Sequence, residues 1–258
     1  QWVYQRGVYD FEQMTDLSKT FRAELPNIFT FDLPPIVQDL KSVDGTRKFL
    51  FDMGAGKTVE AVLIPSEDRL TLCVSSEVGC NMACRFCFTR KKKMQRRLTA
   101  AEIVGQFVQA TNAIKNETQK ITNVVFMGMG EPLDNPDAVF KMVEVIHQPW
   151  GYNFSRRRVT VSTSGLVDQM HLIAKNKVRL AVSLNATTNE VRDFVMPINK
   201  KWNMEQLLAA CKQYTEETGD KVTFEYVLLK GVTDSLEDAR RLKKVVRGIP
   251  SKINIIPF

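Results

Sequence analysis

Leu70-Thr71-Leu72-Cys73-Val74-Ser75, followed by Ser76-Glu77-Val78-Gly79-Cys80-Asn81-Met82-Ala83-Cys84-Arg85-Phe86-Cys87, decides how this 258-residue chain is read. The first half is an apolar, strand-like run, and the second is a loop carrying cysteines at C-x3-C-x2-C spacing. Three thiolates in so short a loop can hold three corners of a [4Fe–4S] cube and leave the fourth iron open. An open iron is a place to bind a substrate or cofactor, so the count points to chemistry rather than scaffolding. Zinc is the alternative: Cys73, seven residues before Cys80, could add a fourth thiolate and close a structural site. A disulfide framework fits poorly, because five cysteines are an odd, sparse number and no apolar signal segment precedes them. The chain reads as cytoplasmic with reduced thiols.

Working outward from that loop, strand-like and helical runs alternate. Strands are expected at Leu70–Ser75, Ile121–Met127, Arg158–Ser162, Val178–Leu184, Lys221–Leu229 and Lys252–Ile256. Helices are expected near 99–116, 136–147, 166–176, 203–218 and 235–247. Thr99-x-x-Glu102 predicts a capping box, and Asn135-Pro136 an N-cap with proline at N1. Alternation with short connections implies a parallel α/β sheet with right-handed crossovers. Six strands fit a partial, TIM-like (β/α)6 barrel, with chemistry at the carboxyl ends of its strands. Upstream, Lys48–Phe51 and Thr58–Ile64 flank Gly54-Ala55-Gly56 and predict a β-hairpin extension over 46–65. Phe11, Met14, Leu17 and Phe21 recur at helical spacing, so residues 1–45 read as the remnant of an N-terminal helical segment. The barrel then takes 66–258. The chain opens on Gln1 and stops at Phe258 inside an apolar run, so both ends read as cut, with a C-terminal segment lying outside this sequence.

At 44% hydrophobic residues the chain can bury one large core or two unequal ones, and no stretch approaches the length of a membrane span. The net charge is +7, and its location matters more than its size. Arg85, Arg90, Lys91, Lys92, Lys93, Arg96 and Arg97 fall in one acid-free segment; the other 29 basic residues balance the 29 acidic ones. Such a run is either a solvated loop or a phosphate-binding lip beside the cysteines.

Every distinctive short motif falls where a strand is expected to end. Gly128-Met129-Gly130-Glu131-Pro132 follows the second, Ser162-Thr163-Ser164-Gly165 the third, and Ser183-Leu184-Asn185-Ala186 the fourth. Glycines there can merely permit a turn, and Ser/Thr clusters can merely cap a helix. Converging on one rim, they would instead offer amides, hydroxyls and a carboxylate to a zwitterionic ligand.

Cys80–Cys87 together with Val125–Pro132, Arg157–Gly165, Val195–Lys201 and Lys252–Pro257 resembles the RlmN/Cfr family of radical S-adenosylmethionine (SAM) RNA methyltransferases, the RlmN branch more closely. The resemblance covers nearly the whole chain, including Gln1–Tyr4 and Met14–Leu17. It implies methylation of carbon 2 of an adenosine in 23S rRNA and in some tRNAs. In that chemistry one SAM methylates a cysteine near the C-terminus, and a second SAM on the open iron yields the radical that activates this methyl group. A second cysteine then releases the RNA by forming a disulfide. The resemblance also implies a small electron donor such as flavodoxin or ferredoxin, no membrane association, and a monomer.

Carried over by position, Cys80, Cys84 and Cys87 would bind the cluster. Gly130 and Glu131 would hold the methionine end of SAM, and Ser162, Ser183, Leu184 and Asn185 its other polar groups. Cys73 matches the resolving cysteine and Glu60 the proton acceptor. This chain departs from the family in two places. Asn185 stands where the family usually has histidine. Cys211, on a stripe with Leu207, Leu208 and Tyr214, reads as core and cannot carry the methyl group, whose cysteine is expected beyond Phe258. Three rivals remain on sequence grounds: a Cfr-like carbon-8 methyltransferase, a radical SAM enzyme for glycyl-radical activation or RNA thiolation, and a non-catalytic zinc-stabilised RNA-binding module.

Overall fold

The computed structural model describes all 258 residues. Its centre is a nine-stranded sheet formed by β1 (Ile36–Lys41), β2 (Arg47–Asp52), β3 (Thr58–Ser66), β4 (Arg69–Cys73), β7 (Asn123–Phe126), β8 (Val159–Thr163), β9 (Arg179–Ser183), β10 (Val222–Leu228) and β11 (Ser251–Pro257), in that spatial order. The six strands from β4 onward pair in parallel, as expected of a partial (β/α)6 barrel. A two-residue ribbon, β5 (Glu77–Val78) against β6 (Arg96–Arg97), closes the base of the cysteine loop.

The helices are α1 (Trp2–Arg6), α2 (Lys19–Glu24), α3 (Ala100–Ala113), α4 (Pro136–His147), α5 (His171–Lys175), α6 (Asn189–Val195), α7 (Met204–Thr218) and α8 (Leu236–Val245). Those of the barrel cover only one face of the sheet, and strand alternation shows which. Leu72, Val124, Val159, Val161, Leu180, Val182 and Phe224 are buried against Ile103, Phe107, Val139, Met142, Val143, Leu207 and other core residues. The intervening positions, Val125, Thr160, Ser162, Ser183 and Glu225, fall on the concave face, because successive side chains of a strand point to opposite faces. Parallel strands buried on one side by helices and open on the other leave a polar trough, whose carboxyl end holds the site.

Several local expectations are corrected. Ile36–Lys41, read as part of the helical segment, is an antiparallel strand on β2. Residues 1–35 form only short helices and 3-10 turns, since Pro26, Pro34 and Pro35 interrupt any longer run. No break occurs at Pro65: β3 runs through it to Ser66 and turns directly into β4, so the hairpin is continuous with the barrel sheet. Pro65 is tolerated because proline near a strand end surrenders little ladder pairing. The single helix expected over 166–176 splits into a 3-10 turn, Val167–Gln169, and α5. α6, which sequence periodicity had not shown, begins at an N-cap in which Thr188 Oγ1 accepts the Val191 N–H. The Thr99/Glu102 capping box forms as expected. Pro136 opens α4, but Asn135 does not cap it; its amide donates to the Ser76 and Leu98 carbonyls and ties the cysteine loop to the next crossover. No helix of the fold is long and apolar enough to cross a membrane.

Candidate active site

Cys80, Cys84 and Cys87 line one cavity of about 260 Å3 together with Gly130, Glu131, Ser162, Thr163, Ser164, Ser183, Asn185 and Glu225. The loop that carries the thiols is shaped by backbone. Gly79, at φ +84°, packs so closely that a Cβ would lie 2.4 Å from the Lys93 carbonyl oxygen. The Cys80 N–H donates to the Lys92 carbonyl, and the Cys87 N–H to the Cys84 carbonyl at 3.1 Å. The Arg85 N–H donates to the Val195 carbonyl at 2.9 Å, which docks the loop on the end of α6.

Burial pushes the Cys80 and Cys84 thiols up to about 12, so the isolated pocket holds them protonated and a bound cation is what would stabilise the thiolates. No three His, Cys, Asp or Glu side chains converge as ligands of one metal ion. A structural zinc site needs such convergence, whereas a four-iron cube presents a separate corner to each thiolate. The donor set therefore fits an open cube, with Cys73 outside it. Cys73 is buried at the end of β4, where burial raises its thiol to about 11 and the Met127 N–H donates to its sulfur.

The rim opposite the thiols is a set of interlocked strand ends. Glu131 is almost fully buried; its Oε1 accepts the Leu133 N–H at 3.2 Å and its Oε2 the Ser164 N–H at 2.7 Å, joining the ends of β7 and β8. Burial raises its pKa, and the amide donors oppose that rise. A carboxylate so held keeps further lone pairs free for a cationic ligand. Gly130, at φ +98°, passes so close to Glu77 that a Cβ would come within 2.6 Å of the Glu77 Cβ, so no larger residue fits there.

Ser162 and Ser183 reach the cavity as expected. Leu184 does not line it. Its side chain is wholly buried in the core, its N–H donates to the Glu225 carbonyl, and its own carbonyl accepts from Arg192 Nε at 3.0 Å.

Asn185 lines the cavity but is 1% exposed and committed to the protein. It sits at φ +52°, a left-handed conformation that asparagine tolerates better than most residues. Its Oδ1 accepts the Val227 N–H at 2.9 Å, and its Nδ2 lies 3.4 Å from Met196 Sδ. It thus staples the end of β9 to β10. Asn185→Ala should destabilise the chain by about 1–3 kcal/mol by leaving that buried N–H unpaired, and should speed hydrogen exchange at the Val227 amide; unchanged exchange there would remove the staple role.

Glu60 and Cys73 lie away from the cavity. Val62 pairs with Cys73 across the β3–β4 register, so Glu60, two residues earlier on β3, shares the concave face with Cys73. The Glu60 carboxylate is half exposed and pairs with Lys48 Nζ at 3.2 Å.

Sequence reading missed Glu225, Glu77 and Arg192. Glu225 lines the cavity and accepts from Asn254 Nδ2 at 2.6 Å, and burial raises its pKa. One signal was available for it: a lone acid inside the apolar run Val222–Leu228, at a position alternation assigns to the concave face. Arg192 had none, since its partners are carbonyls that only the fold assembles.

Residues 74–242 match the radical SAM superfamily, and residues 1–30 match the ribosomal RNA large subunit methyltransferase N-terminal domain. The chain is 64% identical over 258 residues to the dual-specificity RNA methyltransferase RlmN of Bdellovibrio bacteriovorus, aligning over its whole length with 64% of that protein. It is 50% identical over 270 residues to the protein of the same name from Dinoroseobacter shibae, covering 68% of it. Among solved structures, a radical SAM methyltransferase from Sphaerobacter thermophilus superimposes with a TM-score of 0.93 at 41% identity, covering 98% of this chain and 75% of that one. With three thiols on one loop, the GMGEP rim facing them and this likeness along its full length, the chain belongs to the RlmN family of radical SAM methyltransferases.

Proposed function

We propose that this chain is the catalytic core of an RNA methyltransferase that modifies carbon 2 of an adenosine in 23S rRNA and in certain tRNAs. The observation that carries the reading is that three loop thiols share one cavity with a buried carboxylate and the strand-end hydroxyls of Ser162 and Ser183. The chain spans 64% of the first relative's length, so the reaction of the whole protein is part of this proposal. In this reading residues 1–35 belong to a helical accessory unit, the antiparallel strands of 36–65 form an extension of the sheet, and 66–258 form the barrel.

The family's cofactors are a [4Fe–4S] cluster and SAM, and when bound they supply one-electron cleavage of the sulfonium and hence the radical step. The residues of this chain then have separable tasks. Cys80, Cys84 and Cys87 would hold the cluster. Glu131, fixed by two amides, accepts from the methionine ammonium. Gly130 lets the backbone approach the ligand, and Ser162 and Ser183 offer hydroxyls to its polar groups. Asn185 orients β10 rather than binding SAM through its side chain.

Glu60 would take the ring proton at its carboxylate, which stands on the concave face outside the cysteine cavity and pairs with Lys48 Nζ. Cys73 serves as the resolving thiol. The disulfide implied by this role is not formed here, because all five cysteines are free. Cys73 has no thiol partner within the chain, since Cys211 is wholly buried in the core and the other three share the cavity. The reading also requires a small electron donor, such as flavodoxin or ferredoxin, a cytoplasmic location and a monomeric protein.

Anaerobic reconstitution with iron and sulfide is the test. The expected product is a brown protein with about four irons per chain that cleaves SAM under reduction, and Cys84→Ala should lose both iron and cleavage. A colourless protein holding one tightly bound zinc would overturn the reading.

A further inference from the structure

Two exposed aromatic rings stand beside the cavity, and neither has a part in holding the cofactors. Phe88 is 77% exposed and directly follows Cys87, on the single 3-10 turn Phe88–Lys91. Lys91 Nζ lies 5.1 Å from its ring centroid. Phe194 is 50% exposed in the last turn of α6, and the Arg85 guanidinium lies over it at 4.0 Å from the centroid. Both rings are anchored to the cavity wall. Arg85 falls between the lining residues Cys84 and Phe86, and Phe194 lies two residues before the lining residue Met196.

The electrostatics point the same way. The whole positive excess of the chain falls in residues 85–97. Arg96 is paired with Glu102 and Arg97 with Asp134, while Arg85, Arg90, Lys91, Lys92 and Lys93 have no carboxylate partner. Exposed aromatic rings, each with a cation that has no carboxylate partner over one face, match unpaired nucleotides, which offer a π-face and a phosphate at each step. A duplex offers phosphates but hides its base faces, and an acidic peptide offers charge without rings. A base drawn into a cavity also leaves its neighbours without stacking partners.

We infer that Phe88 and Phe194, with Lys91 and Arg85, form a stacking lip that receives the unpaired RNA bases flanking the one admitted to the cavity. The inference rests on the RNA reading above and adds to it the residues that would meet the neighbouring bases. The rings supply stacking that is indifferent to base identity, and the cations hold the backbone by charge alone, so the lip selects for unpaired structure rather than for sequence.

The test is fluorescence anisotropy of the reconstituted protein with two labelled RNAs of equal length, a hairpin with an unpaired loop and a fully paired duplex. Phe88→Leu and Phe194→Leu keep apolar bulk but remove the aromatic face, and Phe88→Tyr keeps it. The loop RNA should bind more tightly than the duplex. Each leucine variant should raise the Kd for the loop RNA about tenfold, the scale of one lost base–aromatic stack. Duplex binding and the salt slope should not change, and Phe88→Tyr should bind as the parent does. Leucine variants with parental affinity for the loop would overturn the lip alone. Equal losses for loop and duplex would overturn it too, by showing a disturbed cysteine loop, and so would heparin competing as well for the loop as for the duplex. Failure of the parent protein to bind either RNA would remove the RNA reading together with the lip, whereas loss of SAM cleavage with RNA binding retained would strike only the cofactor reading.

Discussion

Arg192→Met is expected to destabilise the chain by about 3–5 kcal/mol, because it leaves several desolvated neutral acceptors without a donor at about 1–3 kcal/mol each, and to abolish SAM binding. Arg192 has no measurable exposure, and desolvation lowers its pKa to about 10, so it stays charged at neutral pH. Its Nε donates to the Leu184 carbonyl and its Nη1 to Asn199 Oδ1, both at 3.0 Å. Its Nη2 donates to the Ser164 carbonyl at 2.7 Å and to the Ser183 carbonyl at 3.0 Å. One planar fork from α6 thus holds the ends of β8 and β9, which carry the hydroxyl rim. Methionine would fill most of the volume and strand four buried acceptors, each of which costs free energy when unpaired. Arg192→Lys should rescue little, because a compact ammonium cannot reproduce the fork. Urea unfolding and SAM titration by calorimetry provide the check. A loss below about 1 kcal/mol would show that the rim holds together without the fork.

The second large effect is a pH dependence of stability that Glu77→Gln should remove. Glu77 is completely buried, and its Oε2 accepts the Glu131 N–H at 3.0 Å. Its Oε1 finds no donor and lies beside the Asp134 carboxylate. Two facing acceptors need a proton between them, and burial, reinforced by Asp134, pushes Glu77 from 4.5 up to about 8. The sign follows from proton counts. Between those values the folded chain keeps a proton that the unfolded chain has lost, so stability falls as pH rises. The contribution is complete below pH 4.5, declines through the window and is gone above about 8. The slope is at most about 1.4 kcal/mol per pH unit, and a few kcal/mol in total. Glutamine can accept from the Glu131 N–H and donate to Asp134 at any pH. The difference in stability between Glu77→Gln and the parent should therefore grow from pH 5 to pH 8.5 in the variant's favour. A difference that stays flat would mean that Glu77 is ionised in the fold.

The cysteine spacing and the six strand-like runs were enough to infer a partial parallel barrel and the place of its chemistry, because period-two and period-3.6 patterns are local properties of the chain. The same holds for the Thr99/Glu102 cap, which closes over three residues. The candidate site was legible in so far as its residues belong to short motifs at strand ends: the thiols, Gly130, Glu131, Ser162 and Ser183 all reach one cavity. Where sequence reasoning erred, a pairing partner outside the segment itself outweighed the local signal. Ile36–Lys41 became a strand because β2 offered it an edge, and the Asn135 amide left its cap position to satisfy the carbonyls of Ser76 and Leu98.

By itself, the sequence determined the six parallel strands of the barrel and which residues can carry iron, sulfonium and hydroxyl chemistry. The tertiary structure alone decided how those residues are held. Arg192 bonds residues up to 28 positions away, Glu77 receives the Glu131 N–H 54 positions on, and Asn185 staples Val227 across 42 positions. Such bonds gain their strength from burial, which raises the cost of any unmet partner. Burial is a property of the packed sheet and helices, and no stretch of the chain read alone contains it.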